Sequence, residues 1–258
     1  MRIAVLYICT GNYNQFFADF YKSAKKYFLN GIADIEYFVF TDKEQLCSNS
    51  DTHIIKKEYK GFPLDSLLRF DDFLSIKEQL IGFDYTFFFN ANMKFVAPIR
   101  LEFIPIKEKL SAVIHPGYLN KPAFLYPYER NKKSTAYIKP YEKDYHYFMG
   151  CLNGGKTEDY IKLVEACREN IHIDMGNDIM ARFHDESHLN KYLRGKICLM
   201  YPPSYAYPEG KRIPFDKKII IIDKVKIDKC FNKGRSKSII RIIKKTISYL
   251  YKSISWYL

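Results

Sequence analysis

The chain has 258 residues, enough for one large α/β domain or two small ones with a sizeable core. A hydrophobic share of 47% against 27% charged residues excludes a disordered chain, and the 17% aromatic share supplies rings for a core and for sugar-stacking surfaces. The net charge of +12 favours a polyanionic partner, but eight basic and no acidic residues fall in 229–258, so most of the excess sits in that tail.

Residues 2–9 form a continuous apolar run that predicts a strand buried on both faces, too short for a signal h-region. Thr10-Gly11-Asn12 breaks it, and residues 16–28 carry helical spacing (Phe16, Phe17, Phe20, Ala24, Tyr27, Phe28). Strands are predicted at 35–40, stopped by Thr41-Asp42, and at 54–59. One long helix is predicted over 64–80, then a strand over 84–89 that ends at Asn90-Ala91-Asn92. The second half reads as a loop region around His115-Pro116-Gly117, then 148–155, helices at 157–170 and between 178 and 192, and a short strand at 219–222. Strands alternating with helices predict right-handed βαβ units around a mostly parallel sheet. Ligands of such sheets sit at the carboxyl ends of strands, and three of those ends are polar here.

No apolar run approaches the roughly 18 residues that span a bilayer. The six cysteines are scattered with no CxxC pair, which excludes a zinc ribbon and predicts reduced thiols in a cytosolic protein. No GxGxxG follows the first strand and no phosphate-binding P-loop occurs, which weakens dehydrogenase and NTPase readings.

The densest polar cluster is Phe183-His184-Asp185-Glu186-Ser187-His188. His184 and His188 share a helix face as metal ligands would, but the zinc-protease spacing needs Glu directly after the first His. The same cluster also reads as paired carboxylates splitting binding from catalysis, or as a solvated helix start. Gly150-Cys151-Leu152-Asn153-Gly154-Gly155 reads as a pocket floor or a flexible connection, and Tyr128-Glu129-Arg130 as a local ion pair. The tail from residue 238 reads as an amphipathic helix with a cationic face and an aromatic end, Trp256-Tyr257, suited to an anionic bilayer surface; packing on the body is its alternative. Nucleic acid is disfavoured because the basic residues share that helix with an Ile/Leu stripe.

In order, Tyr37-Phe38-Val39-Phe40-Thr41-Asp42, Phe89-Asn90-Ala91-Asn92, His115-Pro116-Gly117-Tyr118, Tyr128-Glu129-Arg130, Ser134-Thr135-Ala136-Tyr137-Ile138, Gly154-Gly155 and the run from His184 to Tyr192 resemble glycosyltransferase family 6 over roughly residues 2–224. That family contains the histo-blood-group A and B transferases, the α-1,3-galactosyltransferases and bacterial relatives. The resemblance implies an α/β GT-A fold, with a catalytic domain over 1–228 and a basic amphipathic tail over 229–258. It implies retaining transfer of galactose or N-acetylgalactosamine from UDP to a galactoside 3-hydroxyl in a surface oligosaccharide. Ile8, Cys9, Thr10 and Tyr13 would then hold uridine, Arg69 would lie near the donor, and His115, Phe183, His184 and Asp185 would hold sugars. Glu186 matches the catalytic carboxylate, acting as nucleophile or as counter-charge to an oxocarbenium-like ion.

Two departures refine the expectation. Animal members carry Asp-x-Asp with a metal, whereas Asn90-Ala91-Asn92 is neutral, as in similar bacterial enzymes; the expected cofactor is therefore none. Protein cations must then receive the diphosphate, with Lys224, Lys226 and Arg69 as candidates. Met149-Gly150-Cys151 stands where the family selects its donor sugar, and Met149 matches the galactose form, favouring UDP-galactose over UDP-N-acetylgalactosamine. The expected partners are a UDP-sugar, an oligosaccharide acceptor and an anionic inner-membrane surface reached from the cytoplasm, with no nucleic acid. An inactive sugar-binding surface protein is the non-enzyme alternative.

Overall fold

A computed structural model describes residues 1–141, 145–232, 247, 250, 251 and 254–257. In chain order the elements are β1 (Arg2–Ile8), α1 (Phe17–Tyr27), β2 (Asp34–Thr41), β3 (Thr52–Lys56), α2 (Leu64–Leu67), α3 (Arg69–Leu74), α4 (Lys77–Leu80), β4 (Tyr85–Asn90), β5 (Met93–Phe95) and β6 (Leu110–Ile114). They continue with β7 (Phe148–Lys156), α5 (Thr157–Gly176), α6 (His184–Leu193), β8 (Leu199–Tyr201), β9 (Tyr207–Pro208), β10 (Ile219–Ile221) and α7 (Lys224–Ile227). The central sheet has seven strands in the order β3-β2-β1-β4-β7-β6-β8. β1–β2, β1–β4, β2–β3 and β6–β8 run parallel, while β7 is antiparallel to both of its neighbours. This is the mostly parallel, helix-flanked α/β architecture expected of a GT-A-type fold.

Alternating side chains of β1 feed two cores. Ile3, Val5 and Tyr7 pack beside Phe17 and Phe20 of α1, whereas Ala4 and Leu6 pack with Phe70, Phe73 and the helices α5 and α6. Burial on both faces explains why β1 reads as an unbroken apolar run.

Three local expectations are corrected. The helix expected over 64–80 is three short ones, interrupted at Leu68 (φ −95°, ψ 12°) and at Ile76 (φ −117°, ψ 18°). Its buried positions recur at every third residue, Leu67, Phe70, Phe73 and Ile76. A continuous helix of ~3.6 residues per turn would rotate that series away from the sheet, and the interruptions reset it. Residues 150–155 are not a flexible connection: they belong to a nine-residue strand inside the sheet, β7. Its glycines admit neighbouring strands: a Cβ on Gly154 would lie 2.4 Å from the Phe87 ring, and one on Gly155 2.1 Å from the Lys109 carbonyl oxygen. The helix expected over 157–170 extends to Gly176.

Most of the predicted amphipathic tail helix lies outside the described residues. No helix among the described residues is long and apolar enough to cross a membrane.

Candidate active site

The three polar strand ends meet at one edge of the sheet. Ile8 pairs with Phe40 on one side and with Asn90 on the other, so β1, β2 and β4 finish level. Tyr7 Oη donates to the Ala91 carbonyl at 2.8 Å. The Asp42 carboxylate accepts from Gly11 N at 3.0 Å and from the Asn14 amide at 2.7 Å, fixing the loop that follows β1. Of the residues expected around uridine, Cys9 is fully buried and its thiol is pushed up to about 12 by burial, so it serves as neutral wall. Thr10 donates to Asp65 at 3.4 Å. Tyr13 hydrogen-bonds Lys224 Nζ, and that ammonium lies 5.0 Å over the Tyr13 ring and 5.4 Å over Phe231. The chain beyond β10 therefore folds back onto the first loop, where the Asn12 amide also donates to Asp228 at 3.1 Å.

The three candidate cations separate. Lys224 sits with Tyr13 at the strand ends. Lys226 is 58% exposed and reaches Glu209 at 4.0 Å. Arg69 is buried: Nη1 donates to the Gly150 carbonyl at 3.1 Å and pairs with Asp185 at 3.2 Å, with the guanidinium 4.6 Å over Phe88. Asn90 Nδ2 donates to Asn92 Oδ1 at 2.9 Å, and Asn92 Nδ2 donates to the Ile222 carbonyl at 2.8 Å. Two neutral amides spent on each other and on the backbone just after β10 make a poor site for a hard divalent cation. The same bonds tie the end of β4 to the segment that carries Lys224.

The carboxylates stand at the start of α6, where His184 adopts φ 50° and turns the chain into the helix. A non-glycine residue in that region is uncommon, and such positions cluster at functional sites. Glu186 accepts from the Tyr147 hydroxyl through Oε1 and from Gly150 N through Oε2, the latter at 2.7 Å. Gly150 is free to donate because the β6–β7 register jumps between Ala112, opposite Asn153, and Val113, opposite Met149. That bulge leaves the amides around Gly150 without ladder partners on β6 and aims one at Glu186. Desolvation pushes Glu186 up to about 7 and Asp185 up to about 6, against the hydrogen bonds and the Arg69 charge that pull them down. The Asn190 amide locks α6 to β7, exchanging 2.9 Å bonds with Phe148 N and O. Cys151 is buried, its thiol pushed up by burial and by the Glu186 charge beside it, and Met149 is half-buried on the same strand.

An aromatic wall borders this pair. His115 Nδ1 accepts from Gly117 N at 2.9 Å, and burial lowers the ring to about 4, so it is neutral with its proton on Nε2. Tyr118 lies 4.7 Å from His115 and 5.1 Å from Tyr147, centroid to centroid. Phe183 is 39% exposed, an available face for a sugar ring. His184 meets Phe62 edge-on, whereas His188 is buried 3.7 Å from Asp174, so the two histidines do not form a common metal site. Among the described residues no three His, Cys, Asp or Glu side chains are grouped to hold a metal ion. Glu129 is not paired with the Arg130 side chain: it accepts from the backbone amides of Arg130, Asn131 and Arg182, and so ties this wall to the segment before Phe183.

Sequence reasoning gave no role to Tyr147 or Asn190: Tyr147 lies 39 residues from Glu186, whereas Asn190, four residues on along α6, donates to the Glu186 carbonyl at 2.8 Å, a contact that helical spacing could have shown. Gly150 it placed in the donor pocket, where its Cα also faces the carboxylates: an added Cβ would sit 3.2 Å from Glu186 Cβ and 3.3 Å from Asp185 Oδ2. Gly150→Ala is expected to fold normally but to lower kcat about ten- to a hundredfold by displacing Glu186. Steady-state kinetics beside thermal unfolding check this; unchanged kcat would show that the carboxylate tolerates the shift.

A half-buried carboxylate of raised pKa, at the loop-bearing edge of a mostly parallel sheet beside an aromatic wall, marks the candidate catalytic site. Residues 1–235 match the family described as glycosyltransferase family 6. Among relatives, the O-antigen biosynthesis glycosyltransferase WbnI of Escherichia coli is 38% identical over 226 residues, covering 87% of this chain and 95% of its own. The globoside alpha-1,3-N-acetylgalactosaminyltransferase 1 of Gallus gallus is 30% identical over 92% of this chain and 70% of its own. The histo-blood group ABO system transferase 2 of Rattus norvegicus is 30% identical over 74% and 58%. The chain belongs to glycosyltransferase family 6 and is a glycosyltransferase.

Proposed function

We propose that this protein moves galactose from UDP-galactose, with retention of configuration and without a metal, to the 3-hydroxyl of a galactoside in a bacterial surface oligosaccharide. The observation that carries the reading is Glu186, held by the Tyr147 hydroxyl and Gly150 N at the sheet's carboxyl edge. As UDP departs, the bond from the anomeric carbon to the diphosphate oxygen breaks, and the Glu186 carboxylate either bonds to that carbon or balances its positive charge. The acceptor hydroxyl then forms the new glycosidic bond on the face UDP left; where Glu186 has bonded to the carbon that bond breaks and returns its electron pair to the carboxylate, and the hydroxyl proton passes to the departing diphosphate. Lys224 supplies the cation for that diphosphate, positioned by Tyr13, while Arg69 is occupied with Asp185. The neutral, mutually bonded Asn90 and Asn92 support a metal-free reaction.

Met149 and the buried Cys151 support galactose over N-acetylgalactosamine by leaving little room for an acetamido group, a selection worth about 1–3 kcal/mol. The relative named for O-antigen biosynthesis supports a lipid-linked surface oligosaccharide as acceptor, hence a cytoplasmic enzyme peripheral to the inner membrane, its basic tail on anionic lipid.

The test is turnover of both UDP-sugars with plain and fucosylated galactosides, in excess chelator. Retained transfer that prefers UDP-galactose supports the reading. Loss restored only by Mn²⁺ overturns metal independence, and preference for UDP-N-acetylgalactosamine reassigns the donor.

A further inference from the structure

The end of the tail is not where an interfacial helix would put it. Trp256 is 5% exposed and seated in the body, with Nε1 donating to the Ile138 carbonyl at 2.8 Å. The Arg130 guanidinium covers its ring at 5.0 Å, and Tyr128 and Tyr145 flank it at 6.1 and 5.6 Å. Nearby, Tyr141 Oη donates to the Tyr257 carbonyl at 2.7 Å. The expectation of a bilayer-facing aromatic end is thus corrected for Trp256, which packs on protein.

By contrast, Ile247, Leu250, Tyr251 and Ile254, all helical, are 61%, 47%, 73% and 64% exposed. Their spacing of three, four and seven residues puts them on one face of a helix. Four large apolar side chains kept out of the core, in a segment with eight basic and no acidic residues, match the chemistry of an anionic lipid surface.

The seat of Trp256 belongs to the wall of the catalytic site. Tyr128 packs on Trp256 and, at 5.6 Å, on Tyr147, and its hydroxyl donates to the His146 carbonyl at 2.5 Å. Tyr147 in turn donates to Glu186. One buried aromatic cluster therefore joins the tail to the hydrogen-bond donor of the catalytic carboxylate.

We infer that Trp256 is a latch fixing a lipid-binding tail to the acceptor wall, so that engagement of an anionic bilayer steadies Tyr147 and favours acceptors presented at that surface. The inference rests on the proposed transferase reading for its activity arm only. A bilayer holding the stripe opposes release of Trp256, because only one residue separates it from Ile254 of the stripe. Trp256 acts here as a positioning residue, through Tyr128 and Tyr147.

Trp256 is the chain's single tryptophan, so its fluorescence reports the latch directly. The full chain is compared with the variant Ile247→Ser/Leu250→Ser/Ile254→Ser and with Trp256→Ala. Co-sedimentation uses phosphatidylcholine vesicles with or without phosphatidylglycerol, and turnover of a soluble galactoside is measured with and without vesicles. The full chain is expected to bind only the anionic vesicles and to show raised turnover there, with Trp256 shielded from aqueous quencher and from brominated lipid. The triple variant should lose at least about tenfold in vesicle affinity yet keep turnover in plain buffer. Trp256→Ala should still bind vesicles but lose the stimulation and shift the acidic limb of its pH profile, a change that mere loss of stability would not produce. Unchanged binding by the triple variant, or a dimer that it abolishes, overturns the lipid assignment; the dimer would make the face a contact between copies. Brominated-lipid quenching, or stimulation that survives Trp256→Ala, overturns the latch. Absence of turnover with every donor sinks the transferase reading and leaves the binding result standing.

Discussion

Glu186→Gln is expected to lower sugar transfer about 10³-fold or more while raising the stability of the fold above neutral pH. The amide keeps the shape of the side chain and can accept from Gly150 N while donating to Tyr147 Oη. What disappears is the charge. In the native protein the carboxyl is pushed from its ordinary 4.5 up to about 7 by desolvation, so the folded state holds this proton more tightly than the unfolded chain does. The wild-type protein therefore loses stability as pH rises from the ordinary carboxylate range through about 7, and Gln escapes that loss. The difference should vanish near pH 4 and grow to about 1–3 kcal/mol near pH 8, read from denaturant unfolding at several pH values. The same group sets the acidic limb of kcat/KM, which should climb through about pH 7 as the carboxylate ionises. A variant with full activity, or one no more stable than wild type at alkaline pH, would remove Glu186 from the centre of the mechanism.

Arg69→Met is expected to be the most destabilising single change at the site, by about 3–5 kcal/mol at neutral pH, because it strands a buried carboxylate. Asp185 is 7% exposed at its side chain, and Arg69, 10% exposed, is the cation paired with it. Desolvation already pushes Asp185 up to about 6 against the pull of Arg69; without the guanidinium it rises further. The penalty should shrink as pH falls below about 6, since a protonated Asp185 no longer needs a cation. A remainder persists at all pH values from the lost bond to the Gly150 carbonyl and the lost packing on Phe88. Combining Arg69→Met with Asp185→Asn should recover most of the pH-dependent part, measured as the interaction energy of a double-mutant cycle. Equal destabilisation at pH 5 and pH 8, or no recovery in the double variant, would show that the ion pair is not the source. Arg69 also lowers Glu186, so the acidic limb of Arg69→Met should move to higher pH.

Much of this architecture is legible in the chain because strands buried on both faces and amphipathic helices write their periods locally. β1, α1, β2, β4 and α5 are readable in that way. The short strands β5, β6 and β8 are not: three to five residues of apolar sequence carry too little period to distinguish them from turns. The tripartite break of 64–80 escapes prediction because helix propensity was overridden by the need to keep every third residue on the sheet. β7 was hidden by its glycines, which weaken a strand in isolation but are demanded by neighbours at contact distance.

The site divides along the same line. Motif order was enough to single out Glu186, Asp185, Asn90 to Asn92 and the Met149 to Cys151 positions, since residue type and sequence order carry that information. Tyr147 over Glu186, Lys224 beside Tyr13 and Arg69 spent on Asp185 join residues 39, 211 and 116 positions apart, and no local pattern encodes such pairs. The order of elements, the residue types at the strand ends and the charge of the tail were set by the chain alone. Which candidate cation is spent on a carboxylate, which hydroxyl holds Glu186 and whether Trp256 is exposed or seated in the protein were decided by packing. Those contacts exist only once remote segments share one desolvated space, where a charge or donor must find its partner or forfeit stability.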